Sequence, residues 1–397
     1  MLQNLTRRDW LRTSGFLTAG LSLGRWNLSQ AAAPSITSAN APFVDEFATV
    51  NPPDLPKLRA RLLANENPLG IAPSAKDALM KATGIGNRYA WMEFGPMKQL
   101  ISEREGVKPA HILMSPGSSA MLLAAAAHFA KGGTSMAPAT ILTCRPTYDD
   151  LLTKTTRFGA TINALPLTKD FKYDLPALKA AALSPGGSAK LVYIVNPNNP
   201  TGTILPPAEL EAFCRAVAPT VPVFIDEAYI DFLSPADRPM LGKLVAEGLN
   251  VILARTFSKI HGFAGLRLGY AIAQPEMLKT LHEYIGAESD VSITTLMAGI
   301  ASYQDTGWQD HCRAENAKAR DYTAKALTDL GYEMIPSCAN FMLFPIRMKT
   351  NAFSEQMFAQ GIGIQTRDIN GQPFCRVSIG TMEEMALFVD GFKKVVG

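Results

Sequence analysis

Between residues 111 and 273 the chain alternates short, unbroken apolar runs with longer stretches of helical period. The runs are His111–Met114, Thr140–Cys144, Lys190–Val195, Val221–Ile225, Asn250–Ala254 and Leu268–Ala273. They are rich in β-branched residues and do not alternate apolar with polar, which predicts strands buried on both faces. Helical period fills the gaps, as in Ser119–Ala130 and Pro207–Val217. Pro206-Pro207 ahead of Glu209 marks a helix start, with proline in the first turn and an acid near the positive end of the dipole. Strands alternating with helices predict a mostly parallel, helix-flanked sheet in an α/β domain over residues 71–287. From Glu288 the order changes: long helical patterns come first, then the apolar runs Asn340–Pro345 and Phe374–Ile379. Residues 288–397 are therefore expected to form a smaller α+β domain. Pro34 to Pro56 lacks periodicity and is rich in Pro, Ala, Asn and Ser, so residues 34–70 read as an arm joining the small domain.

Composition narrows the class. At 397 residues, 47% hydrophobic and 18% charged, the chain has ample material for a globular core. Its net charge of +3 matches that of the first 33 residues, where Arg7, Arg8, Arg12 and Arg25 face only Asp9. The rest of the chain is near neutrality and holds no long basic run, which argues against a nucleic-acid partner. The five cysteines are scattered and odd in number, without a C-x-x-C pair, so they read as buried small hydrophobes rather than disulfides or metal ligands. The N-terminus differs from the rest. Thr6–Arg12 reads T-R-R-D-W-L-R, an apolar stretch diluted by Gly and Thr runs to Gly24, and Gln30 to Ala33 offers small residues for cleavage. This resembles a twin-arginine export signal over residues 1–33, with Trp10 and Arg12 as variations on the usual pattern. The stretch is shorter than the ~20 residues a membrane span needs, so no permanent anchor is expected. The resemblance implies the twin-arginine translocase as a partner and a periplasmic location, with the protein carried folded.

Candidate chemistry collects after the predicted strands, where open α/β sheets bind ligands. Arg255–Tyr270 reads R-T-F-S-K-I-H-G-F-A-G-L-R-L-G-Y, placing Lys259, directly after Ser258, eight residues before Arg267. N-P-N-N-P-T-G occupies Asn196–Gly202, and D-E-A-Y occupies Asp226–Tyr229. Ser115-Pro-Gly-Ser-Ser119 links a strand to a helix, so the amides of Ser118 and Ser119 would face an anion at the helix start. Taken singly these have ordinary readings: a solvated lysine, a capping aspartate, a proline turn, a core tyrosine. In this order they resemble the fold-type I, aspartate aminotransferase-like enzymes from about Asn65 to Gly380, and among them histidinol-phosphate aminotransferases.

The resemblance implies pyridoxal 5'-phosphate as cofactor and roles for named residues. Lys259 would hold the cofactor aldehyde as a Schiff base and then act as the base on the substrate Cα. Asp226 would pair with the pyridine nitrogen, Tyr229 and Asn199 with the phenolic oxygen, and Tyr148 would pack over the ring. Ser118, Ser119, Ser258 and Arg267 would hold the phosphate, with Tyr89 reaching it from the second subunit of a homodimer. Arg376, in C-R-V-S-I-G, would grip the substrate carboxylate, and Asn65 and Asn199 would line the substrate. No metal is implied. Three departures stand out: Ala120 where an acid is common, Ala90-Trp91-Met92 after Tyr89, and Gln365 in G-I-G-I-Q-T-R where an arginine usually holds the substrate phosphate. The expected activity is transfer of an amino group from an amino acid or amino alcohol to a 2-oxo acid, on a donor other than histidinol phosphate. A decarboxylase or β-lyase on the same scaffold, or a non-catalytic amino-acid-binding protein, are the alternatives.

Overall fold

The computed structural model describes residues 58–131, 133 and 138–397. The expected export signal and most of the expected arm lie outside the described residues.

The chain begins with β1 (Ala60–Arg61), then supplies β2 (Ile112–Ser115), β3 (Thr140–Arg145), β4 (Thr161–Pro166), β5 (Ala189–Val195), β6 (Val223–Asp226), β7 (Val251–Thr256) and β8 (Gly269–Ile272). Strands β2 to β8 form one seven-stranded sheet in the order β2-β8-β7-β6-β5-β3-β4. Parallel pairing joins β7, β6, β5, β3 and β4, whereas β8 runs antiparallel to both of its neighbours. The expected mostly parallel, helix-flanked sheet is thus present, with one reversed strand.

Its strands are apolar on both faces because helices cover both. Along β5, Val192 and Ile194 enter the core layer built with Leu210, Phe213 and Val217 of the helix Pro207–Val217. Leu191, Tyr193 and Val195 point the other way, into a layer with Met121, Leu122 and Ala125 of the helix Ser118–Phe129. Each fully buried Val, Leu or Ile contributes roughly 1.5–3 kcal/mol, so these two layers fix the strand order and the strand ends that carry the site. The helix Ile293–Gln304, beyond the expected boundary at residue 288, packs on Pro73–Ala82 and shares the core of the large sheet.

A second sheet comprises β9 (Phe341–Pro345), β11 (Gln365–Ile369) and β12 (Gln372–Ser378), antiparallel in the order β11-β12-β9. The short β10 (Ile362–Gly363) pairs in parallel with β1, so the start of the described chain is bound to this sheet. The helices Thr350–Ala359 and Met382–Val396 complete its separate core through Phe353, Phe388 and Phe392. Thr381 opens the last helix with a reciprocal capping box to Glu384. All five cysteines are free, as expected, and four are buried. Among the described residues no His/Cys/Asp/Glu group could hold a metal, and no helix is long and apolar enough to cross a membrane.

Candidate active site

The carboxyl ends of β2, β5, β6 and β7 converge on a cavity of about 470 Å³. Ser118, Ser119, Tyr148, Asn199, Asp226, Tyr229, Ser258, Lys259, Arg267 and Asn65 line it. Ten residues spread over two hundred positions of sequence are therefore brought to one place.

One end of the cavity is built for an anion. The helix Ser118–Phe129 opens without a side-chain cap, leaving its first amides directed outward. Its N-cap, Gly117, has φ +88, and a Cβ there would lie 2.3 Å from Arg267 Nη2. Glycine is required so that the guanidinium can lie against the helix start. Arg267 itself sits at φ 59, a region costing a non-glycine residue on the order of 1–2 kcal/mol. Its side chain holds it there, since Nη1 donates to Ala264 C=O at 2.9 Å and to Ser258 Oγ at 3.1 Å. Thr256 Oγ1 donates to Ser258 Oγ at 3.0 Å and accepts from the Ser258 amide at 3.1 Å. Ser258 Oγ thus receives two hydrogen bonds, and its own proton is left to be given to an anion.

The other end holds a carboxylate, an amine and a phenol. Asp226 terminates β6 at 2% exposure. Burial pushes its carboxyl up to about 7, against the pull of the Ala228 N–H at 3.1 Å and of Lys259. A cation placed beside it would be held strongly. Lys259 Nζ donates to Ala64 C=O at 3.3 Å and stands 5.4 Å from the centre of the Tyr229 ring. The Tyr229 hydroxyl accepts from Asn65 Nδ2 at 3.0 Å and from Asn199 Nδ2 at 3.5 Å, so its proton points elsewhere. Asn65 is set by Ser378, whose Oγ accepts its amide and donates to its Oδ1, each at 2.8 Å.

Arg376 stands one layer behind the cavity wall, fully buried on β12. It donates from Nη1 to Asn199 Oδ1 at 2.9 Å and from Nη2 to Leu63 C=O at 2.7 Å. Asn199 therefore connects Arg376 to Tyr229. Like Arg376, Tyr89 does not line the cavity of its own chain, but for the opposite reason: it is 72% exposed and stacks on Trp91 at 4.9 Å. Thr256 and Ser378 are absent from the residues that the motifs single out. Ser378 lies within C-R-V-S, but neither hydroxyl carries a signal that separates it from other buried Ser and Thr.

A lysine amine, a carboxylate able to hold a ring cation, a phenol oriented by two amide donors and an anion cup fit pyridoxal phosphate in the manner the motifs imply. Lys259, Asp226, Tyr229 with Asn199, and the Ser118–Ser119–Ser258–Arg267 cup could hold it.

Comparison with known proteins agrees. The sequence model of the family "Aminotransferase class I and II" matches residues 60–392. The chain is 32% identical over 338 residues to a histidinol-phosphate aminotransferase of Moorella thermoacetica, covering 85% of both chains. It is 33% identical over 337 residues to histidinol-phosphate aminotransferase 1 of Nitrosococcus oceani, covering 85% of this chain and 88% of that one. Among solved structures, the histidinol-phosphate aminotransferase of Sinorhizobium meliloti in complex with pyridoxal-5'-phosphate is similar, with a TM-score of 0.79 and 27% identity. That match covers 91% of this chain and 99% of the other. An aspartate aminotransferase from Thermus thermophilus, 18% identical with a TM-score of 0.69, covers 86% of this chain and 92% of its own and shares the fold.

Proposed function

Since the chain belongs to the class I and II aminotransferases and is a pyridoxal-phosphate-dependent enzyme, we propose that it takes its amino group from an amino acid rather than from histidinol phosphate. The acceptor is a 2-oxo acid. Bound pyridoxal phosphate supplies an aldehyde for amine exchange and a ring that spreads the electrons left when the Cα proton departs. Lys259 would hold the aldehyde and would move the Cα proton. Asp226 would keep a proton on the ring nitrogen. Tyr229, with its oxygen occupied by two amide donors, would have its proton free to give to the cofactor. Arg376, behind Asn199 in the cavity wall, would supply the positive charge for the carboxylate common to donor and acceptor.

The observation that carries the donor choice is the register of the small sheet. Gln365 lies directly opposite Arg376 in the β11–β12 pair and so shares its face. At that place it supplies hydrogen bonds but no charge. Arg367, two residues along the same face, donates to Gln365 Oε1 at 3.4 Å and acts on Asp149, which Arg145 also holds at 3.0 Å. Its charge is shared with a resident carboxylate. A missing charge-assisted contact to a phosphate costs on the order of 1.5–3 kcal/mol, or roughly one to two decades in specificity. Wild type is therefore expected to show a higher kcat/KM for unphosphorylated amino acids than for histidinol phosphate. Gln365→Arg should raise the value for histidinol phosphate by about a decade. A wild-type preference for histidinol phosphate in this side-by-side assay would overturn the donor choice and leave the aminotransferase itself untouched.

We also propose a homodimer in which Tyr89 serves the neighbouring subunit's cofactor phosphate. It is supported by an exposed apolar rim, Tyr89, Trp91 and Met92, which a lone subunit leaves in water. Tyr89→Phe and Lys259→Ala protomers, each impaired alone, should regain activity at about a quarter of all sites when mixed and allowed to exchange. Hybrids shown to form without any recovery would place the role of Tyr89 within its own chain.

Export by the twin-arginine route is the third element, supported by Arg7 and Arg8 in T-R-R-D-W-L-R. Changing both to lysine should leave folded, cofactor-loaded precursor in the cytoplasm. Mature protein still appearing in the periplasm of cells without that translocase would exclude the route.

A further inference from the structure

Three charged side chains meet in the core behind the cavity, and none of them lines it. Arg255, on β7, donates from Nε to Glu227 Oε2 at 2.6 Å. Its two terminal nitrogens donate to the two carboxylate oxygens of Glu105 at 2.8 and 3.2 Å. Glu105 ends the helix Phe94–Glu105. Glu227 directly follows Asp226, and Arg255 precedes Lys259 by four residues.

The position of this triad in the sheet is informative. Among the described residues, the last backbone hydrogen bond between β6 and β7 runs from the Glu227 N–H to the Ala254 C=O, 2.9 Å. Beyond it the two chains part. The chain after Glu227 turns into the short helix Ile230–Phe232. Arg255 and Thr256 pair instead with Tyr270 and Gly269 of β8. The Arg255–Glu227 ion pair extends the tie one step past the last rung, where the segments bearing Asp226 and Lys259 leave the sheet.

Stability alone does not call for such a device. Burying an arginine and two carboxylates carries a desolvation cost that apolar side chains of similar volume avoid. Apolar packing cannot, however, fix a distance and a direction as a planar fork held on two edges does. With one edge on Glu227 and the other on Glu105, the guanidinium cannot swing.

We propose that Glu227 and Arg255 are positioning residues, whose ion pair, braced by Glu105, sets the separation between Asp226 and Lys259. The inference rests on the roles proposed above for those two residues. A misplacement of ~1 Å can cost about a hundredfold in rate, so partial slackening of the clamp should cost about tenfold.

The test compares wild-type, Arg255→Lys and Glu227→Gln holoenzymes. Lysine keeps the charge but cannot grip two carboxylates as a fork; glutamine keeps the shape and loses the charge. Arg255→Lys is expected to lower kcat per cofactor-loaded site about tenfold while KM for the donor stays within about twofold. The pH midpoint of the bound cofactor's absorption change should move by about half a unit or more, because the groups around it have shifted. Glu227→Gln should move both readings in the same direction and less far. If Arg255→Lys does not fold, Glu227→Gln and Glu105→Gln carry the same comparison. Variants that bind cofactor on Lys259 and keep the wild-type kcat and midpoint, losing only melting temperature, would remove the clamp and leave the site assignments standing. Cofactor fixed on a lysine other than Lys259 in wild type would bring down both.

Discussion

Lys259→Ala is expected to lower kcat/KM for any amino donor by at least ~10⁴-fold, because in the proposed mechanism one side chain performs two tasks that no neighbour can take over. Among the described residues, Lys259 is the lysine that lines the cavity. Its Nζ is held at Ala64 C=O and over the Tyr229 ring. On that proposal, removing it takes away both the covalent hold on the cofactor and the group that carries the Cα proton. The cup and Asp226 remain, so the variant should still bind pyridoxal phosphate, reversibly and without the colour of the lysine adduct. Borohydride treatment of wild type followed by peptide mapping should place the reduced cofactor on the peptide containing Lys259. A label elsewhere, or turnover surviving the substitution, would dissolve the proposed constellation.

The second large effect belongs to Asp226. Asp226→Ala should leave cofactor attachment to Lys259 intact while lowering kcat by on the order of 10²–10³-fold, the range seen when a preorganised electrostatic partner is removed. The physical basis is its environment: a carboxyl at the end of a buried strand, pushed up to about 7 by burial and drawn back only in part by the Ala228 amide and Lys259. Such a group favours a cation beside it, because pairing returns what burial takes away. The same environment leaves a pH signature. Unfolded, the carboxyl titrates near its ordinary value of about 3.9; folded and without cofactor it titrates near 7. Between those values the folded chain binds more protons than the unfolded one, so this contribution is present below about pH 4 and lost as pH rises through 7. Melting temperature of the cofactor-free protein should therefore fall between pH 5 and 7 more steeply than that of the holoenzyme, where Asp226 has a cationic partner. Asp226→Ala should shrink this difference. Parallel curves for the two forms would show that Asp226 does not meet the ring, and near-normal turnover of Asp226→Ala would make it a structural residue only.

How much of the molecule is legible before the fold is known depends on whether the information is local. Six strands of the large sheet stand out as apolar runs, since a strand covered on both sides must be apolar at every position. The edge strand β4 does not: four of its six residues are exposed, and T-I-N-A-L-P looks like a loop. The reversed direction of β8 is equally hidden, because a strand buried on both faces has the same composition whichever way it runs. β11 escapes for a related reason, as Q-T-R-D-I is polar along most of its length. The site fares better because its residues sit in contiguous motifs at strand ends. The motifs make Asn199 a partner of Tyr229 and of the substrate, and the structure places it between Tyr229 and Arg376. Pairings across long separations leave no trace. Nothing in the sequence near Glu105 points to Arg255, 150 residues on, and the two meet only because the helix carrying one ends behind the strand carrying the other.

The rim around Tyr89 has an optical consequence. The chain has four tryptophans, and two of them, Trp91 and Trp308, lie among the described residues. Trp308 is partly buried beside His311, whereas Trp91 is 69% exposed and lies flat on Tyr89 with an interplanar angle of 5°. An indole in that setting emits as one bathed in water. Any body that settles on the rim strips that water away and shifts the emission to shorter wavelength, and a pyridine chromophore brought near quenches it. Trp91 is thus a native fluorophore at the place where a second subunit is expected. Dilution of the unlabelled enzyme through its dissociation range reads out assembly as a colour shift, and addition of cofactor reads out how near the neighbouring site lies.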